Sequence, residues 1–76
     1  MDTITYQRQV AERVAEAIVT HDQNAFAVSQ GTGIPRSTLN RRLAGVTPFT
    51  VAEVASVAAF LGIDVRSLLV IEEPAA

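Results

Sequence analysis

The chain has 76 residues, no cysteine, and six arginines against eight carboxylates, which give a net charge of −2 at pH 7. This length bounds it to one domain, and the absence of cysteine excludes disulfides and thiolate zinc sites. Nearly half of the residues are hydrophobic, enough for a small core, and the net charge excludes nucleic-acid binding through bulk positive charge alone. No secretory signal or membrane-length apolar run is visible, so we expect a cytoplasmic protein.

The first predicted element is a long amphipathic helix over about residues 3–20. Its apolar side chains recur at helical spacing and define an inward face: Tyr6, Val10, Val14, Ala17 and Ile18. The opposite face is polar and includes Arg8 and Arg13. We interpret these two arginines as solvated partners of neighbouring glutamates in preference to contacts with a DNA backbone.

Residues 24–45, NAFAVSQGTGIPRSTLNRRLAG, predict two short helices joined by a tight turn. Asn24 is a good N-cap for the first of them. Gly33 stands where the turn of a helix-turn-helix needs a residue with positive φ, which glycine adopts without strain. The second helix covers about residues 36–44, and Gly45 ends it.

The outward face of that second helix carries side chains suited to reading DNA bases. Leu39 and Leu43 lie four residues apart and face the core. The predicted base-reading residues share the opposite face and are Arg36, Ser37, Asn40 and Arg41. Arginine and asparagine form paired hydrogen bonds with guanine and adenine edges, and serine bonds to either. This pattern is typical of a recognition helix in the major groove.

The charge distribution favours this interpretation over an ordinary solvated helix face. Residues 23–52 contain three arginines and no carboxylate, because the acids are confined to the two ends of the chain. A solvated surface usually mixes both signs. The distribution therefore indicates a basic surface in the middle of an otherwise acidic chain.

A fourth helix is predicted to begin at Val51, because residues 50–53, TVAE, match a capping box. Its inward residues are predicted to be Val51, Val54, Ala58 and Leu61. Its exposed N-terminus suits a DNA phosphate, with help from the hydroxyls of Thr47 and Thr50. The alternative for these threonines, plain capping and turn formation, is about as well supported.

A short fifth helix follows Asp64 and extends to about Val70, with Leu68 in the core. Leu69, Val70 and Ile71 are more apolar surface than this helix easily buries, which predicts a homodimer interface. The alternative is that these three residues complete the core. Residues 72–76 are expected to be a frayed acidic tail, and without a repeat or a linker residues 1–76 form one domain.

The run GIPRSTLNRRLAG, followed by PFTVAEV and LGIDVRSLL, resembles the lambda-repressor/Cro-like (XRE) helix-turn-helix family, particularly members from actinobacteria and their phages. The resemblance covers about residues 8–71. It implies an all-α fold, a compact bundle of five helices whose third lies in the major groove. By position it implies base reading by Arg36, Ser37 and Arg41, with Asn40 beside them.

Two residues depart from the pattern of that family. Pro35 stands where a capping serine or threonine is usual, although its fixed φ suits the start of a helix. Arg42 stands where an apolar residue is frequent, which suggests that it contacts a phosphate. The predicted phosphate-binding residues are Arg42, Thr38, Thr47 and Thr50.

These features predict a sequence-specific transcriptional regulator that binds double-stranded operator DNA. A phage or prophage Cro-like protein or short immunity repressor fits 76 residues better than a two-domain repressor. The alternative is a protein-interaction module, such as an antitoxin or adaptor. One histidine, no cysteine and no convergent carboxylate pair leave nothing for a catalytic or metal site, so we expect neither enzyme activity, nor a cofactor, nor a small-molecule ligand.

Overall fold

The computed structural model describes residues 2–69, which form five α-helices and no strand. The helices are α1 (Thr3–Thr20), α2 (Ala25–Thr32), α3 (Arg36–Leu43), α4 (Val51–Leu61) and α5 (Arg66–Leu69). Helix α1 packs against α3, α4 and α5, and α2 packs against α3 and α4. The predicted all-α class with five helices is confirmed for this part of the chain. Every helix within residues 2–69 is too short or too polar to cross a bilayer.

Side chains close to the helix ends determine where α2 and α4 begin. The Ala27 N–H donates to Asn24 Oδ1 over 2.8 Å, which satisfies one of the free N–H groups of the first turn of α2. At α4 the Glu53 N–H donates to Thr50 Oγ1 (3.1 Å), and the Thr50 N–H donates to Glu53 Oε1 (2.8 Å). Both bonds of the predicted capping box are therefore present.

The turn between α2 and α3 requires a glycine. Gly33 has a φ of 80°, in the left-handed region that residues with a Cβ rarely adopt. Ile34 follows and is buried, so the turn also contributes to the core. The predicted positive φ at Gly33 is confirmed.

The core draws at least one residue from each helix, so all five helices pack on one shared core. Its buried side chains are Val10, Val14, Ile18, Val28, Ile34, Leu39, Val54, Val57, Ala58 and Leu68. Leu39, Val28 and Val57 are completely inaccessible to solvent. Burial of this apolar surface is the main stabilising contribution in so small a domain.

Two residues predicted to face inward are exposed. Tyr6 on α1 is 41% exposed, and its hydroxyl donates to the Leu69 carbonyl oxygen. Val51 is 73% exposed, although its spacing places it near the inward row of α4. It is the first residue of α4 and lies beside Pro48 and Phe49 at the edge of an apolar groove. Val57, which was not predicted to face inward, is buried instead, so the inward row of α4 begins at Val54.

Within α2, Gly31 lies against the ring of Phe60, which occupies the space that a side chain at this position would need. A Cβ built on Gly31 overlaps the Cε1 and Cδ1 atoms of that ring. The glycine thus permits the close approach of α2 and α4, at a cost in helix propensity of about 0.5–1 kcal/mol relative to alanine.

We predict that Gly31→Ala is not stabilising in the native sequence, because the new methyl group must displace the Phe60 ring. In a Phe60→Ala background the same change stabilises the protein by about 0.5–1 kcal/mol, since only the gain in helix propensity remains. Urea unfolding of the four proteins of this cycle measures the coupling. Equal effects of Gly31→Ala in both backgrounds contradict the predicted contact.

Candidate nucleic-acid interface

The turn that leads into α3 is held by side-chain hydroxyls as well as by Gly33. Ser29 Oγ donates to the Ile34 carbonyl oxygen over 2.6 Å, and Thr32 Oγ1 donates to the Val28 carbonyl oxygen over 2.7 Å. The Ile34 N–H in turn donates to Thr32 Oγ1 over 3.2 Å. These bonds fix the direction in which α3 leaves the turn.

Helix α3 has one side in the core and the other in solvent. Leu39 is fully buried and Leu43 packs against the core at its edge. The four side chains predicted to read bases are all exposed: Arg36, Ser37, Asn40 and Arg41. Since they stand at positions i, i+1, i+4 and i+5 of the helix, the fold brings them together on one face.

This exposed face is free of negative charge. Within residues 2–69, neither Arg36 nor Arg41 forms an ion pair with a carboxylate, whereas Arg42 and Arg66 do. Pro35 provides no side-chain hydrogen bond to the first turn of α3, so the N–H groups there lack a side-chain acceptor. The face presents hydrogen-bond donors to solvent, as an acceptor-rich DNA groove requires.

Arg36 is held by an aromatic contact that the sequence analysis missed. Its guanidinium carbon lies 5.7 Å from the centre of the Phe26 ring, within the range of a cation–π interaction. Phe26 belongs to the first turn of α2 and is 55% exposed. Ten positions separate the two residues, so no local pattern indicates this contact, which depends on how the turn folds α3 back onto α2.

Arg42 joins α3 to the start of α4. Its Nε donates to Glu53 Oε1 over 3.0 Å, its Nη2 donates to Glu53 Oε2 over 3.4 Å, and its Nη1 donates to Thr47 Oγ1 over 2.6 Å. The Arg42 and Glu53 side chains are only 22% and 18% exposed. Three of the five guanidinium N–H donors are therefore used inside the protein.

The predicted phosphate contacts stay predictions. Three of the four residues, Arg42, Thr47 and Thr50, also form hydrogen bonds within the protein. Arg42 retains free donors, but its main contacts position the first turn of α4. Thr50 caps α4, as its alternative interpretation expected, whereas Thr47 accepts a hydrogen bond from the Arg42 side chain, which was not predicted. Thr38 is half-buried beside the exposed face of α3.

Burial and the hydrogen bonds from Arg42 and Thr50 determine the pKa of the Glu53 carboxyl group. Burial alone raises the pKa of Glu53, but hydrogen bonds from Arg42 and Thr50 outweigh it and hold the pKa below the ordinary value of 4.5. The charged form is therefore the one that the fold stabilises. Glu53 is at once a capping residue and the partner of Arg42.

The predicted dimer interface lies mostly outside the described residues. Leu69 is half-buried, and its carbonyl oxygen accepts a hydrogen bond from the Tyr6 hydroxyl over 2.7 Å. Val70 and Ile71 are not among residues 2–69. Tyr6 and Val51 line a shallow apolar groove next to Leu69. Dimer formation through Leu69, Val70 and Ile71 stays a prediction.

We predict that Glu53→Gln destabilises the protein by about 1–2 kcal/mol at neutral pH, because the charge-assisted bonds from Arg42 are weakened. A carboxylate whose folded pKa is depressed stabilises the fold above its unfolded pKa and loses this contribution as pH falls through the folded value. The difference between wild type and variant should therefore shrink as pH falls below the unfolded pKa of Glu53 and through its lower folded pKa.

Urea unfolding at several pH values measures this dependence. The matched control is Glu16→Gln, which removes an exposed carboxylate from α1 without an arginine contact among residues 2–69. A difference for Glu53→Gln that is constant with pH, or one equal to that of the control, contradicts the assigned ion pair.

One comparison with known proteins identifies a family for this chain. The sequence model of the BetR domain family matches residues 2–76, nearly the whole chain. Searches among curated proteins and among solved structures find no significant match. BetR domains are helix-turn-helix-like DNA-binding domains, so the match indicates a DNA-binding regulatory domain. The chain belongs to the BetR domain family.

Proposed function

We propose that the protein is a sequence-specific transcriptional regulator that binds double-stranded operator DNA and reads the major groove with α3. The observation that carries this proposal is the exposed face of α3. It gathers four hydrogen-bonding side chains, without a carboxylate, on a helix whose other side is anchored by the fully buried Leu39. A helix fixed in this way presents its donors in one orientation, which sequence recognition requires.

Each residue of this face has a chemical role in the proposal. Arg36 and Arg41 bind guanine O6 and N7 through paired hydrogen bonds, and Asn40 binds adenine N6 and N7. Ser37 bonds to either base. The net charge of −2 makes non-specific attraction weak, so affinity depends on a correctly docked face.

Contacts with the DNA backbone surround this face. Thr38 flanks it on α3, and Thr47 and Thr50 lie on the approach to α4. Arg42 holds the first turn of α4 in place through Glu53, and its free donors contact a phosphate. The N-terminus of α4 directs backbone N–H groups and the positive end of the helix dipole toward the same strand.

Within this class we propose a Cro-like protein or short immunity repressor of phage or prophage origin, acting in the bacterial cytoplasm. The resemblance of GIPRSTLNRRLAG to the lambda-repressor/Cro-like (XRE) family supports it. The proposal assigns no catalytic activity, cofactor or small-molecule ligand to the chain.

The experiment that tests the function is selection from random DNA duplexes at near-physiological salt, followed by sequencing of the retained pool. We expect a palindrome whose half-sites are about one helical turn apart, as a dimeric reader requires. A single enriched half-site supports the proposed regulator function but contradicts the proposed dimer. No enrichment contradicts the proposal and favours the second candidate, a protein-interaction module such as an antitoxin or adaptor, which the exposed Val51 and Val46 also suit.

On the selected site, Arg41→Ala should cost about 1–3 kcal/mol in binding and relax discrimination at one base pair. The matched control is Arg8→Ala, which removes the same charge from an exposed position on α1. Competition binding against single-base variants of the site measures both effects. If Arg41→Ala weakens binding equally on every sequence, as the control should, Arg41 does not read a base.

The homodimer proposed through Leu69, Val70 and Ile71 has its own test. A charge at an apolar interface is expensive to bury, so Ile71→Asp should convert dimer to monomer in sedimentation velocity. Val19→Asp, at an exposed apolar position of α1, is the matched control and should stay dimeric. Monomeric wild-type protein at all concentrations, or an unaffected Ile71→Asp variant, contradicts this interface.

A further inference from the structure

The contact between Phe26 and Arg36 combines two recognition chemistries in one place. Arg36 is the first residue of α3, and Phe26 lies in the first turn of α2. The guanidinium lies over the ring at 5.7 Å from its centre, while more than half of the Phe26 surface faces solvent.

The contact with Phe26 leaves Arg36 without a carboxylate partner among the described residues. Paired hydrogen bonds to guanine use the N–H groups in the plane of the guanidinium. The ring therefore restricts the orientation of Arg36 and leaves its donors available to a base.

The position of the ring relative to the base pairs follows from the same distance. When the guanidinium lies in the plane of a guanine that it binds, the Phe26 ring is displaced from that plane by at most 5.7 Å. Successive base pairs are about 3.4 Å apart, so a neighbouring pair lies within this distance of the guanine. The apolar group that a major groove offers there is the C5-methyl group of thymine.

We propose that Phe26 is a specificity-determining residue that contacts the methyl group of a thymine next to the guanine bound by Arg36. The pair Phe26–Arg36 then reads two adjacent base pairs, one by apolar contact and one by hydrogen bonds. This inference rests on the proposed function, because it requires α3 to lie in the major groove.

The test replaces each thymine of the selected DNA site, one at a time, by deoxyuridine, which removes only the methyl group. Fluorescence anisotropy measures the affinity of wild type and of Phe26→Ala for each duplex. The guanine bound by Arg36 is identified as the base pair at which Arg36→Ala loses discrimination. Val19→Ala removes an exposed apolar side chain from α1 and is the matched control.

We expect deoxyuridine next to that guanine to weaken wild-type binding about fourfold, the effect of one buried methyl group. Phe26→Ala should bind the thymine and deoxyuridine duplexes equally, whereas Val19→Ala should behave as wild type. A purely structural role for Phe26 lowers affinity without removing the difference between the two duplexes.

The inference is overturned if wild type does not distinguish thymine from deoxyuridine at either neighbouring pair, or if Phe26→Ala distinguishes them as wild type does. Either result leaves the proposed function intact when a sequence has been selected. A chain that selects no sequence overturns the proposed function as well, so the two failures are distinguishable.

Discussion

The burial of Leu39 determines which way the candidate DNA-reading helix faces. Helix α3 has eight residues, far fewer than the 12–15 or so at which an isolated helix becomes even marginally stable in water. Most of its side chains are polar, so its stability comes from packing against α1 and α2. Leu39 is its one fully buried residue, and the exposed face follows from that anchor because helical geometry fixes the opposite side.

The ion pair of Arg42 and Glu53 fixes the start of α4 relative to α3. Two partly buried charges stabilise a fold only when their remaining donors and acceptors are satisfied. Here Glu53 accepts from both Arg42 and the Thr50 N–H, and Thr47 accepts from Arg42. The arrangement joins the last turn of α3 to the first turn of α4. Arg42 therefore contributes to the fold as well as to the charge of the surface.

The parts of the fold that could be predicted from the sequence depend on neighbouring residues. Asn24 and the Thr50–Glu53 capping box mark helix starts within four positions, and Gly33 marks the turn by its own backbone freedom. The inward row of α1 could be predicted because one face of a long helix repeats several times. The exposed face of α3 followed from the same periodicity.

The remaining features depend on how helices are placed in space. The exposure of Val51 depends on how the start of α4 lies relative to the other helices, which its local spacing does not reveal. The pairs Arg42–Glu53 and Phe26–Arg36 join residues on different helices, and the Gly31–Phe60 approach joins α2 to α4. Each of these contacts requires the packing of two helices to be known first, so periodicity and capping patterns do not predict them.

The exposed face of α3 is proposed to contact DNA bases. The most direct measurement is a titration of ¹⁵N-labelled protein with the selected duplex, followed by NMR chemical shifts. We expect the largest changes at the amides and side chains of Arg36, Ser37, Asn40 and Arg41, and little change at Glu12 and Glu16 on the exposed side of α1. The largest changes on α1, with α3 unaffected, would contradict the claim.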